Sequence, residues 1–291
     1  MLKPSLIETG NYCLRSWMVL MNSLKNTAPT DAAHPTEEGN RGPIVLMYHG
    51  TTVGKPSSQY SIEARLFKQH VAYLADNGWQ TRLIKDLACP ELLTPKTVII
   101  TFDDGYADNF EGALLPLVDH NMQATWFITT DCIGSYANWM GSNRPETKML
   151  DKQQLREMAD QGMEIGSHTC SHPDLGGLNY TEQLEQVRAS KKMLESLLNC
   201  NVTSFAYPFG KYNEESVKAL KTAGYQFACS VRSGWSLKGS DFLAIRRVTV
   251  FSGDSTSILS RKLAFADNDV SWGKLFRYYL KRAESRLRHP R

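Results

Sequence analysis

Two carboxylates stand side by side in Thr101-Phe102-Asp103-Asp104-Gly105-Tyr106, directly after the apolar run Val98-Ile99-Ile100. A β-branched run closed by glycine reads as a buried strand, so the acids fall at its C-terminal end. Side chains alternate along an extended chain, and neighbouring aspartates cannot do one job from one face. If one ligates a metal, the other is free to act as a base. The competing reading is a helix-capping pair, since Asp at a strand-to-helix junction often caps the next helix.

His168-Thr169-Cys170-Ser171-His172 follows a strand expected over residues 163–167. The i, i+4 spacing puts both imidazoles on one side of a helical turn, close enough to share a cation. Two imidazoles and a carboxylate from another strand end make a three-donor site with open positions, suited to zinc or a similar divalent ion. An HxxxH pair alone is commonly a cap plus a surface histidine; beside a double aspartate it reads as a metal site. Phe205-Ala206-Tyr207-Pro208-Phe209-Gly210 sits at a further strand end. Its Pro and Gly shape a turn with exposed N–H groups. Such donors suit a developing oxyanion, and the aromatics suit a sugar face; by itself such a turn is commonly only a turn.

Apolar runs and helical patterns alternate around these clusters. Strands are expected over residues 44–48, 97–102, 124–129, 163–167, 204–207, 227–231 and 248–251. Helices are expected over residues 63–77, 108–120 (interrupted near Pro116), 151–161 (capped by Asp151), 181–198 (capped by Thr181) and 214–223. Repeated strand–helix units imply an α/β fold with a largely parallel sheet, closed or open. In either layout the site belongs at the C-terminal strand ends.

The chain divides into an N-terminal helix and polar linker (1–42), a main domain (43–255) and a basic C-terminal segment (256–291). At 291 residues it can bury one large core or two small ones, and 42% hydrophobic with 22% charged residues is ordinary for a globular protein. The net charge is only +3, and residues 271–291 carry seven Lys or Arg against Glu284 alone. The body is thus near neutral, which argues against a nucleic-acid-binding surface across the whole fold. Trp272, Leu275, Phe276, Tyr279 and Leu280 have helical spacing with basic residues between them, a pattern for peripheral contact with an anionic membrane or for packing on the domain. The run around Trp17–Met21 is too short to span a bilayer. The six cysteines include no CxxC pair and read as buried or idle thiols, Cys170 among them as a packed neighbour of the histidines.

TFDDGY, HTCSH and YPFG, in this order and spacing, resemble the motifs of the polysaccharide deacetylases of carbohydrate esterase family 4. The resemblance covers roughly residues 43–251. It implies a distorted (β/α) barrel that removes N- or O-acetyl groups from glycans with a divalent metal. Carried over by motif, Asp103 becomes the general base, and Asp104, His168 and His172 the ligands of a divalent ion, zinc first and cobalt or nickel as alternatives. The Phe209 N–H, with Tyr207 beside it, falls at the oxyanion and substrate. The family's base-orienting arginine usually lies in Leu-Pro-Arg-x-x-Val; here Ile245-Arg246-Arg247-Val248 lacks the proline. Register favours Arg247 over Arg246, and an ordinary strand-edge ion pair competes for either.

The family's late Leu-x-x-His, source of the general acid, is missing: after His172 the only histidine is His289. Leu46-Met47-Tyr48-His49 at the first strand instead resembles the circularly permuted branch typified by poly-N-acetylglucosamine deacetylases. That makes His49 the acid. The expected activity is metal-dependent N-deacetylation of an N-acetylglucosamine-type glycan of the cell envelope. One rival is deacetylation or deformylation of a lipid-linked sugar, motivated by the basic tail. Another is a non-catalytic glycan-binding homologue, against which the intact base and ligand set argues. The expected partner is an acetylated glycan, with no nucleic acid. A cytoplasmic or inner-membrane-associated location is preferred, with export left open.

Overall fold

The computed structural model describes residues 42–140, 147–237 and 241–271, with residues 273, 276 and 277 beyond them. The expected N-terminal helix and nearly all of the basic tail from Ser271 lie outside the described residues. Among the described residues no helix is long and apolar enough to cross a membrane.

The strands are β1 (Ile44–Tyr48), β2 (Thr51–Thr52), β3 (Ile62–Glu63), β4 (Gln80–Arg82) and β5 (Thr97–Phe102). They continue as β6 (Thr125–Ile128), β7 (Glu164–Ser167), β8 (Ser204–Ala206), β9 (Phe227–Cys229) and β10 (Val248–Thr249). The helices are α1 (Ala64–Asp76), α2 (Leu115–Asp119), α3 (Lys152–Asp160), α4 (Tyr180–Leu198), α5 (Glu214–Ala223) and α6 (Thr256–Phe265). The main sheet runs in the order β10-β1-β5-β6-β7-β8-β9, with β4 beside the first half of β5. Every pair in it is parallel. The segment leading into β10 bridges β9 at Ile245 and β1 at Val248, so the two ends of the strand order meet. This is the expected barrel, with a seam made by one short, irregular segment.

Period-two alternation decides what each strand shows to the barrel axis. Val45, Ile99, Phe127, Ala206, Phe227, Cys229 and Ile245 form one apolar cluster inside the barrel. Leu46, Ile100, Phe102, Trp126 and Phe205 pack outward against the helices. Parallel strands covered on both faces need near-continuous apolar runs, which is what β1 and β5 are. Continuing the same parity upward, His49, Thr101, Asp103, His168 and Arg247 fall on the inner face, where the strands end. Gly166 occupies that face opposite Phe127. A Cβ there would lie 2.7 Å from the Phe127 ring and 2.9 Å from the Ser204 carbonyl oxygen, so only glycine fits.

Some local expectations shift. The helix before β6 begins with a turn of π-helix at Phe110–Leu114 and becomes α-helical at Leu115, with Pro116 in its first turn. Proline has no N–H to give the preceding turn, and the wider turn absorbs the loss. Asn179, not Thr181, caps α4, because Glu182 stands three residues on and returns a bond to the Asn179 N–H. The domain boundary at 255 is corrected as well. Leu259, Leu263 and Ala266 of α6 and its end are buried in the main core, so the domain continues through that helix. Cys89 is disulfide-bonded rather than an idle thiol, whereas Cys132, Cys170, Cys200 and Cys229 are free.

Candidate active site

β5 delivers both aspartates. Its register with β1 aligns Phe102 with Tyr48, and the Asp103 N–H donates to the Tyr48 carbonyl (3.0 Å), which places Asp103 beside His49. The Asp103 carboxylate is buried and grips Arg247 at both oxygens, Nη1–Oδ1 2.6 Å and Nη2–Oδ2 2.7 Å. Arg247 also donates from Nη1 to Thr101 Oγ1 (3.1 Å) and from Nε to the Ser230 carbonyl (2.9 Å). The arginine that pairs with Asp103 is therefore Arg247. Arg246, one residue earlier and on the opposite parity, lies against Gly234. Burial pushes the Asp103 carboxyl up, but the Arg247 guanidinium outweighs it and the pKa ends below the ordinary value; the charged forms of His168 and His49 add to this.

Asp104 points elsewhere because its backbone turns to φ 75°, followed by Gly105 at φ 91°. Its Oδ1 lies 3.5 Å from His168 Nε2 and 3.2 Å from His172 Nε2. All three residues are buried. The His168 Nδ1–H donates to the Ala206 carbonyl (2.7 Å), which turns Nε2 toward Asp104. Two donors about 2.1 Å from one tetrahedral ion stand about 3.4 Å apart, so these separations fit a zinc-like cation. Burial raises the Asp104 pKa, yet its hydrogen bonds to His168 and His172 hold it well below the usual range. Burial disfavours charge on both imidazoles; Asp104 reverses this at His168, whose pKa rises, while at His172 the burial and the neighbouring His168 prevail and it falls.

The two histidines do not share a helical turn as their spacing suggested. They sit on an irregular loop after β7, with Thr169 at φ 70° and His172 at φ 60°. The Gln186 side chain of α4 clamps that loop by accepting from the Cys170 N–H (3.0 Å) and Ser171 N–H (3.1 Å). Cys170 is a packed neighbour whose Sγ donates to the Gln186 carbonyl. Positive φ at Asp104, Thr169, His172 and Phe209 concentrates backbone strain around the cluster, as at sites where geometry is held by the surrounding fold.

Phe209 has φ 57° and an exposed ring set edge-on to His172, centroids 4.5 Å apart. The turn's own bonds run from Gly210 N–H to Tyr207 O and from Lys211 N–H to Pro208 O, so neither uses the Phe209 N–H. Tyr207 is corrected: it is fully buried, its hydroxyl donates to the Leu243 carbonyl (3.0 Å) and its ring stacks on Tyr212 (4.2 Å), so the side chain builds the core and meets no substrate. His49 is half-buried, with its Nδ1 buried and without a protein hydrogen-bond partner. It lies close enough to help hold both Asp103 and Asp104 ionised.

Two aromatic side chains wall the site. Trp139, in the loop after β6, stacks on His172 (4.6 Å). Tyr60 lies against His49 (5.2 Å), and nothing in its local sequence signals that. Thr101 was findable, being two residues before Asp103 on the same strand face.

These elements are shared with known proteins. A family model described as polysaccharide deacetylase matches residues 92–228. YxkH of Bacillus subtilis (strain 168), named for the same family, is 34% identical over 237 residues, or 80% of each chain. The poly-beta-1,6-N-acetyl-D-glucosamine N-deacetylase of Staphylococcus epidermidis is 28% identical over 220 residues, covering 72% of this chain and 74% of its own. Of solved structures, the Streptococcus pyogenes deacetylase PplD in complex with acetate aligns with a TM-score of 0.67 at 26% identity, over 76% of this chain and 97% of its own. Similarity at this level across 80% of both chains shows that this protein belongs to the polysaccharide deacetylase family, hydrolases of amide carbon–nitrogen bonds.

Proposed function

We propose that this chain is a divalent-metal-dependent deacetylase removing N-acetyl groups from an N-acetylglucosamine-type glycan. One observation carries the reading: a buried, arginine-held carboxylate stands next to a separate three-donor Asp-His-His cluster at a single rim of strand ends. A binding module needs neither a second aspartate kept out of the cluster nor its arginine. The Staphylococcus epidermidis relative's name makes β-1,6-linked substrates the first to try.

Asp104, His168 and His172 would hold the ion. Bound there, a divalent ion supplies Lewis-acid polarisation and a water that ionises near neutral pH, zinc being the first choice for this donor set. Asp103 takes the proton from the attacking water, its carboxylate fixed in plane by Arg247. The Phe209 N–H donates to the oxyanion as the acetyl carbon becomes tetrahedral. His49 gives a proton to the departing amine nitrogen, a role that contributes about 10²–10⁴-fold in rate. Acetate and a free amino sugar leave.

The test is acetate release from β-1,6-linked and β-1,4-linked N-acetylglucosamine oligomers with added zinc, against a chelator control. Asp104→Ala should lose both stoichiometric zinc and turnover. Asp103→Asn should keep the zinc and lose turnover; full activity in that variant would remove Asp103 as the base.

A further inference from the structure

We propose that a buried lysine–aspartate clamp, Lys262 with Asp254, positions the His49 imidazole through Phe251 and Tyr60. The proposal rests on the reading of His49 as the acid. With Nδ1 buried and unpartnered, no protein hydrogen bond at that atom fixes the ring's plane. Packing must do it. The Tyr60 ring lies 5.2 Å from the His49 ring, but Tyr60 is 43% exposed and belongs to an irregular loop. Phe251 backs it at 6.0 Å.

Phe251 is the most heavily tethered member of the group. Flanking it, the Val250 N–H donates to Met47 O (2.9 Å) and the Ser252 N–H to Gln59 O (2.8 Å), tying its loop to β1 and to the residue before Tyr60. Its own N–H donates to Asp254 Oδ2 (2.8 Å). Lys262 Nζ donates to the same carboxylate and to Thr249 O (2.7 Å), and lies 4.6 Å from the Phe251 ring centroid. Lys262 is 1% exposed and Asp254 7%. Burial lowers the His70 pKa to about 4, so its ring is neutral at working pH. It bonds through Nε2 to Asp254 O (2.7 Å) and through Nδ1 to the Tyr48 hydroxyl (3.1 Å). The clamp therefore grips the residue before His49, through His70, and the ring that backs Tyr60.

A purely structural clamp would affect all chemistry at the site equally. A positioning clamp would not. The leaving amine of an N-acetyl sugar needs a proton from His49, whereas the 4-nitrophenolate of 4-nitrophenyl acetate leaves without one. Both substrates share Asp103, the ion and the oxyanion donor.

The zinc-loaded full chain and its Phe251→Leu, Lys262→Met and His49→Ala variants are assayed on both substrates. A misplacement of the order of 1 Å costs about 10²-fold. Phe251→Leu and Lys262→Met should lower kcat on the N-acetyl oligomer by about that factor. KM and aryl acetate turnover should stay within about twofold. His49→Ala should lower kcat on the N-acetyl oligomer by at least as much. If Lys262→Met fails to fold, Phe251→Leu alone decides. Parallel loss on both substrates, or no loss on either, overturns the proposal. A wild-type chain that releases no acetate from any N-acetyl sugar overturns the deacetylase reading itself, and this proposal with it.

Discussion

Replacing Arg247 with methionine isolates the ion pair on which the site is built. The guanidinium is 0% and Asp103 2% exposed, and both carboxylate oxygens are engaged. Removing one partner of such a buried pair costs about 3–5 kcal/mol, because the other charge is left uncompensated. At about 2–4 °C per kcal/mol for a domain of this size, the melting temperature at pH 7.5 should fall by about 6–20 °C. Asp103→Asn should cost a comparable amount by stranding the arginine. The double variant strands neither, so its loss should fall short of the sum by about 2 kcal/mol or more. The pH dependence has a fixed sign. In the wild type the depressed Asp103 pKa gives stability that is present above the unfolded value and lost as pH falls through the folded one. In Arg247→Met burial prevails, the folded pKa rises above the unfolded value, and the penalty applies only while Asp103 is charged. The gap between the two proteins should thus be full at pH 7.5 and narrow on acidification. Thermal melts by circular dichroism, with chelator present to silence the metal site, measure all four proteins. Additive losses, or a gap independent of pH, would refute the argument.

Two further outcomes follow from the geometry. Gly166→Ala forces a Cβ to 2.7 Å from the Phe127 ring and should destabilise the barrel by about 1–3 kcal/mol, read as a lower urea midpoint with an unchanged slope. Zinc at about a thousandfold excess over its Kd should stabilise the wild type by about 4 kcal/mol, and a melting shift of equal size in Asp104→Ala would place the ion elsewhere.

What was legible in the sequence was contiguous in the chain. β1 and β5 are buried on both faces and so are written as unbroken apolar runs, and the candidate site residues follow β1, β5 and β7 within a few positions. Asp103, Asp104, His168 and His172 could be read for that reason, and Arg247 by strand register. The loop geometry at His168–His172 could not, since i, i+4 spacing fits a helical turn and a left-handed loop alike, and the Gln186 clamp is remote in sequence. Tyr207 misled because an aromatic beside a turn looks exposed, while the fold supplies Tyr212 and the Leu243 carbonyl to bury it. The contacts of Tyr60 with His49, and of Lys262 with Asp254 and Thr249, exist only once the seam of the barrel has closed.

As the base of the proposed mechanism, Asp103 faces opposed demands. A base works best with its pKa near the working pH, yet Arg247 holds this one below 3.8. Strength is not what the site asks of it. A carboxylate has about four acceptor directions, so a guanidinium taking one from each oxygen leaves others for the water. Against even the ordinary value of 3.8, a water of pKa about 7 is uphill by about 3 units, roughly 4 kcal/mol. That is a fraction of the barrier of about 16 kcal/mol that corresponds to a turnover of about 10 per second. Fixing the carboxylate in line with the attacking water is worth more, since orientation supplies up to about 7–11 kcal/mol. In the proposed mechanism Asp103 is therefore a base by placement. The same reasoning explains why Arg247→Met, which makes Asp103 more basic, should lose turnover and not gain it.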